Sequence, residues 1–158
     1  KTMNTGANET NSPWPFRVYA ETGIVRQAYS SHVLFNIQLF DQLLALNSTA
    51  APQRLDPTAR AVLQQARDRA WSWLVEYPLA NGNWCGFCED ITLEAEQWQT
   101  YKNATYVTPA QCNYDSIQPL LLAQYLLQRR DNPALGLDWK VHVPALISFV
   151  ERSIASPS

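Results

Sequence analysis

The residues that decide the fold run from Asp56 to Asp90, DPTARAVLQQARDRAWSWLVEYPLANGNWCGFCED. Asp56 is an N-cap, and Pro57 takes the first helical position, where its missing N–H costs nothing. Ala59, Val62, Leu63, Ala66, Ala70, Trp73, Leu74 and Tyr77 then recur as one stripe, with Arg60, Arg67, Asp68 and Arg69 on the opposite face. That is the pattern of an amphipathic helix, and Pro78 is expected to stop it. An Asn81-Gly82-Asn83 turn follows, and then Trp84, Cys85, Cys88 and the acidic pair Glu89-Asp90.

Upstream, Ile24, Val25, Ala28, His32, Val33, Phe35, Ile37, Phe40, Leu43 and Leu44 predict a helix from about Thr22 to Leu46. Its apolar face is wide, as in a helix buried on more than one side. With the Asp56 helix it makes an antiparallel hairpin, joined through Asn47-Ser-Thr-Ala-Ala-Pro. Residues 1–16 are polar until Trp14-Pro15-Phe16 and read as an extended arm docked by its aromatic end. Residues 17–158 read as a single helical domain.

Downstream, Asp90 to about Thr100 is expected to form a short helix, and Tyr101 to Asn113 an irregular loop. Asp115 or Ser116 caps a helix through Arg130 whose stripe is Ile117, Leu120, Leu121, Gln124 and Leu127. Asn132-Pro133 and Gly136 break the chain. Asp138 opens a last helix carrying Trp139, Val143, Leu146, Val150 and Ile154, with Pro144 early in it. No run alternates over five residues, so no sheet is expected. The expected class is all-α: antiparallel helical hairpins, about five helices.

Length and composition narrow the function classes. A chain of 158 residues with 46% hydrophobic content supports one domain with a real core. Its formal charge of −2 gives no electrostatic footprint for nucleic acid or an anionic membrane. No apolar run approaches the roughly 20 residues of a transmembrane helix. The polar start, KTMNTGANETNS, has no apolar core of a signal peptide, although a signal already removed leaves no trace. Asn8-Glu-Thr, Asn47-Ser-Thr and Asn103-Ala-Thr are N-glycosylation sequons, against roughly one such match by chance. They point to an extracellular or secretory-pathway protein.

Three constellations bear on chemistry. Trp84-Cys85-Gly86-Phe87-Cys88 has the spacing of a thiol redox site, which needs a low-pKa thiolate at a helix N-terminus after a strand. Here a helix and an Asn-Gly-Asn turn precede it, and Glu89 and Asp90 beside Cys88 favour the protonated thiol. In an oxidising compartment Cys112 is expected to pair with Cys85 or Cys88, with Cys88 the preferred partner. A Cys85–Cys88 bridge is the competing reading, and one of the three cysteines stays free or bonds another chain. His32 and His142 lie in apolar stripes without paired ligand spacing, so no metal is expected and no cofactor is implied.

Glu89 and Asp90, with Trp84, Phe87 and Trp98 nearby, are the candidate acids of a glycan site, since two carboxylates flanking a sugar serve as acid and base. Trp84 and Trp98 would be its aromatic platforms. The plainer reading makes Asp90 a helix cap and Glu89 a solvated acid. Asp115, at another helix start, carries the same two readings and is the one candidate for an opposed partner acid.

Trp71 to Leu79 reads W-x-W-L-x-x-Y-P-L, the Asn81–Asp90 loop is rich in Asn, Trp and acids, and Trp139 to Leu146 reads W-x-x-x-V-x-x-L. In this order the features resemble the helical-hairpin units of α/α-toroid proteins, the six-hairpin family of glycosidases, polysaccharide lyases and epimerases. The likeness is one of hairpin style and covers roughly Thr22 to Ile154. It implies catalytic acids on loops at one end of the ring, hence Glu89 and Asp90. A closed toroid has twelve helices, so this chain would be part of a larger ring, an open array, or a helical domain of its own. Two functional expectations result. One is a secreted helical glycoprotein domain with a carbohydrate-related role in glycan binding, hydrolysis or lyase chemistry. The other is a non-catalytic extracellular structural or assembly protein, packed against another chain or the remainder of a larger protein. Cys-x-x-Cys redox chemistry is a distant third.

Overall fold

The computed structural model describes residues 6–8, 12–15, 17–27, 33–46, 55–82, 84–86, 113–114 and 117–155. Among these residues the architecture is all-α: four α-helices packed as two hairpin pairs. Helix α1 spans Val33–Leu46 and α2 spans Pro57–Leu74; α3 spans Ile117–Gln128 and α4 spans Trp139–Ala155. α1 packs on α2, α3 packs on α4, and α1 also touches α3, which joins the pairs.

Local chemistry explains where the helices begin. Asp56 Oδ1 accepts from the N–H groups of Thr58 and Ala59, both at 2.9 Å, and Pro57 follows it. Asp138 Oδ1 accepts from the Lys140 N–H at 3.0 Å in the same way. Between the last two helices, Asn132 caps the short 3-10 turn Pro133–Leu135. Gly136 leaves that turn at φ 67, a value that a side chain would oppose. Arg60 on α2 donates to the Leu44 carbonyl at 3.3 Å, so a cation meets the negative end of α1.

The structure corrects several expectations from the sequence. Helix α1 begins at Val33, not at Thr22. The residues before it form a ribbon, β1 (Arg17–Val18) against β2 (Val25–Gln27), closed by Gly23 at φ 68. Tyr19 N–H bonds the Ile24 carbonyl at 2.9 Å across this turn. A second ribbon pairs β3 (Cys85–Gly86) with β4 (Asn113–Tyr114), so strand is confined among the described residues to these two small ribbons.

Pro78 does not stop α2. The chain continues through a π-helical turn, Val75–Leu79, in which the Ala80 N–H reaches back to the Val75 carbonyl. Widening the turn accommodates a residue that has no N–H to give and whose ring crowds the carbonyl four residues back. Pro144 likewise lies inside α4 and does not delay its start.

Arg67, expected on the solvent face of α2, is turned inward, with its side chain 14% exposed. The last correction concerns α3. Its expected core stripe is its outer face: Ile117, Leu120 and Leu127 are exposed, while Gln118, Pro119, Leu122, Ala123, Tyr125 and Leu126 are buried. A helix with no charged residue offers no polar side by which its inner face can be recognised.

One core cluster runs through both hairpins, from Val33, Leu34 and Ile37 of α1 to Trp71, Trp73 and Leu74 of α2. It continues through Leu122, Tyr125 and Leu126 of α3 to Val143 and Leu146 of α4. The arm docks on it: Trp14 stacks on Phe40 at 5.7 Å, and Trp73 Nε1 donates to the Asn8 carbonyl at 2.8 Å. No helix among the described residues is long and apolar enough to cross a membrane. The expected Asp90–Thr100 helix, the 101–113 loop up to Cys112 and the Asp115 or Ser116 cap lie outside the described residues.

Because Asp56 satisfies two otherwise orphaned N–H groups, Asp56→Ala should cost about 1 kcal/mol. Urea unfolding followed by circular dichroism should show a lower midpoint at an unchanged slope.

Candidate functional site

The densest polar constellation lies where α1, α2 and α3 meet. Asp41 is the only charged residue of α1, and helix periodicity puts it beside the buried Ile37 and Leu44. Its Oδ1 accepts from Arg67 Nε of α2 at 2.9 Å. Its Oδ2 accepts from the Tyr125 hydroxyl of α3 at 2.6 Å and lies 3.2 Å from the Arg129 guanidinium. Arg67 closes the ring by donating to the Tyr125 hydroxyl at 2.7 Å.

Aromatic faces complete the surroundings. The Arg129 guanidinium sits 3.9 Å from the Tyr125 ring centre, and Trp71 lies 5.5 Å from the same ring on its own account. Trp71 Nε1 donates to the Leu135 carbonyl at 3.3 Å, tying α2 to the turn before α4. Burial, and then the hydrogen bond to Asp41, push the Tyr125 hydroxyl up from 10.0 to about 12, although Arg67 pulls it down. Burial lowers the affinity of Arg67 for its proton, but the bonds to Asp41 and Tyr125 outweigh that and raise it.

Chemically this is a clamp. Both carboxylate oxygens are taken, the hydroxyl gives one bond and accepts another, and Tyr125 has no exposed surface. Only the Arg129 guanidinium, 31% exposed, reaches the solvent to any extent. The sequence held one signal for it: a lone acid in an otherwise uncharged helix needs a buried partner.

Most of the residues proposed from sequence lie outside the described residues. Trp84 is a core side chain, 3% exposed, so its ring is not offered to a ligand. Cys85 lies on β3 opposite Tyr114, which sets the central loop beside the segment that follows Cys112. Asn8 is exposed on the arm. Glu89, Asp90, Trp98, Asp115, Cys88, Cys112, Asn47, Asn103 and His32 lie outside the described residues. His142 is half-buried on α4. Among the described residues no group of three or more His, Cys, Asp or Glu side chains is placed to hold a metal ion.

Two surface features lie apart from these residues. One is the outer side of α1 and α3, where Leu39, Leu46, Leu120 and Leu127 are exposed. The other is an open cleft of about 730 Å³ between the arm and the solvent face of α2. No protein-family model, curated protein or solved structure matches this chain.

If the clamp holds three helices, Asp41→Ala should cost about 3 kcal/mol, because it leaves the Arg67 charge buried without its partner. The Tyr125 shift carries a pH signature. Its pKa is raised in the folded state, so its contribution is complete below pH 10 and is lost as pH rises toward 12. That loss amounts to about 3 kcal/mol. Denaturation midpoints compared between pH 9 and pH 12 should fall more steeply in the wild type than in Tyr125→Phe.

Proposed function

We propose that this chain is a structural helical-hairpin unit whose α1 and α3 outer faces pack against further α-helical hairpins in an extracellular assembly. The observation that carries this reading is where the exposed leucines stand. Leu39 is 50% and Leu46 61% exposed on α1; Leu120 is 46% and Leu127 38% exposed on α3. On each helix they lie on the side away from the buried residues, seven residues apart. The polar residues among them are the uncharged Gln42 and Gln124, both exposed.

A face of this kind has the composition of a core. Charge is what keeps a solvent-facing helix in water, and here α3 has none while the single charge of α1 is spent in the clamp. Covering the four leucines removes apolar area worth about 1 kcal/mol for each half-exposed side chain. Adjacent hydrophobic rows on neighbouring helices mark an interaction surface. An uncharged helical surface of matching apolar rows is the partner that this chemistry accepts. Two successive antiparallel hairpins are also the repeating piece of an α/α array, which is how the likeness to toroid units supports the reading. The sequons at Asn8, Asn47 and Asn103 support an extracellular setting, with Asn8 exposed on the arm.

The face can be tested directly. The folded chain should bind a hydrophobic dye such as ANS or self-associate, and Leu39→Glu with Leu120→Glu should abolish both. Stability should move by less than about 0.5 kcal/mol, as for surface positions. A loss above about 2 kcal/mol would mean that these leucines are packed within the chain, and the reading would fall. Material from a eukaryotic secretory system should also lose mass on peptide-N-glycosidase treatment. Unmodified asparagine at all three sequons would remove the extracellular placement.

A further inference from the structure

We infer that the cleft between the N-terminal arm and α2 binds a short neutral oligosaccharide. This goes beyond the assembly face, since the cleft is on α2 and not on α1 or α3. Its volume of about 730 Å³ lies in the range of small-ligand sites. Its walls are held before any ligand arrives. Trp73 Nε1 ties α2 to the Asn8 carbonyl at 2.8 Å, and Ser12 Oγ bonds the Trp14 carbonyl at 2.6 Å, fixing the corner at the buried Pro13. The cleft ends on the π-helical turn, which supplies Glu76 and Tyr77. Such turns interrupt a better hydrogen-bonded helix and are frequent at functional sites.

The lining selects the ligand. Gln65, Arg69, Ser72 and Glu76 follow at four-three-four spacing along the exposed face of α2. Their side chains make no hydrogen bond or ion pair with another described residue. Asp68 beside them is already held, each carboxylate oxygen by Gln64 Nε2 at 3.0 and 3.1 Å. The free row therefore offers a donor-and-acceptor amide, a donor-only guanidinium, a hydroxyl and an acceptor-only carboxylate.

An anion is disfavoured, because Asp68 and Glu76 outnumber Arg69 among the lining charges. An extended peptide needs main-chain partners, and the N–H and C=O groups of the α2 wall are spent within the helix. A purely apolar ligand would leave the polar row desolvated and unpaired. A neutral ligand whose every hydroxyl both donates and accepts satisfies all four groups. Its apolar C–H face has the half-buried Tyr77 ring to rest on.

The test titrates neutral hexasaccharides of β-1,4-linked glucose, mannose and xylose and of α-1,4-linked glucose into the whole chain, by saturation-transfer NMR and calorimetry. At least one should bind with a Kd below about 1 mM. Glu76→Ala and Gln65→Ala should each weaken it about tenfold, the loss of a hydrogen bond to a bound group, with the circular dichroism spectrum and Tm unchanged. Leu39→Glu with Leu120→Glu should leave the affinity as it was, which separates this site from the assembly face. Absence of binding by all four sugars would overturn the inference. So would affinity that both cleft variants leave intact, or displacement of the sugar by a neutral hexapeptide at equal concentration.

Discussion

A single carboxylate holds the bundle together. Asp41 draws Arg67 of α2, Tyr125 of α3 and Arg129 beyond it into one polar cluster, at a place where the two hairpins meet. Apolar contact alone gives α1 and α3 little reason to prefer one rotation about their axes, because both helices are apolar on nearly every side. The clamp supplies that preference. Only when Asp41 and Tyr125 face Arg67 do these three side chains satisfy one another, and other rotations strand a charge or a hydroxyl in the core. Its contribution is therefore greater to uniqueness than to net stability, since desolvating the ions offsets much of their attraction.

This constraint explains which parts of the fold could be read from sequence. α2 and α4 alternate polar and apolar faces, and on α4 the residues expected inside, Val143, Leu146 and Val150, are inside. α3 offers two apolar stripes of equal quality, and periodicity cannot choose between them. The choice rests on Tyr125, whose polar partners come from two other helices. The same long-range contact hides Arg67, which on local pattern belongs with Arg60 and Arg69 in water. The helical reading of Ile24 and Val25 failed for a different reason: Gly23 permits a turn that lets β2 fold back on β1. A glycine turn immediately before an apolar run outranks the period that follows it.

The candidate site was legible to a smaller degree. The acids and tryptophans of the central loop were attractive for their residue types, yet the one tryptophan among them that the structure describes, Trp84, serves the core. Tryptophan carries more apolar area than any other side chain, and core packing is its commonest use. The α2 cleft escaped notice because its second wall is the arm, which touches α2 only through distant contacts such as Asn8 with Trp73. A row of Gln, Arg, Ser and Glu on a helix reads as a solvated face until something stands opposite it.

The two surface readings are compatible because polarity divides the molecule by helix. α2 turns Arg60, Gln64, Gln65, Asp68 and Arg69 outward, while α1 and α3 turn leucine and glutamine outward. Water is the natural solvent of the first surface and protein of the second. Covering α1 and α3 leaves the cleft on α2 open, so a unit built into a larger helical array keeps its polar face accessible. That arrangement also accounts for how so short a chain carries helices as apolar as α1 and α3. Their buried sides are satisfied by this chain's own hairpins, and in the proposed assembly their outer sides would be covered by neighbouring helices. The clamp at Asp41 then has a second consequence: by fixing the rotation of α1 and α3, it fixes which leucines the two helices expose.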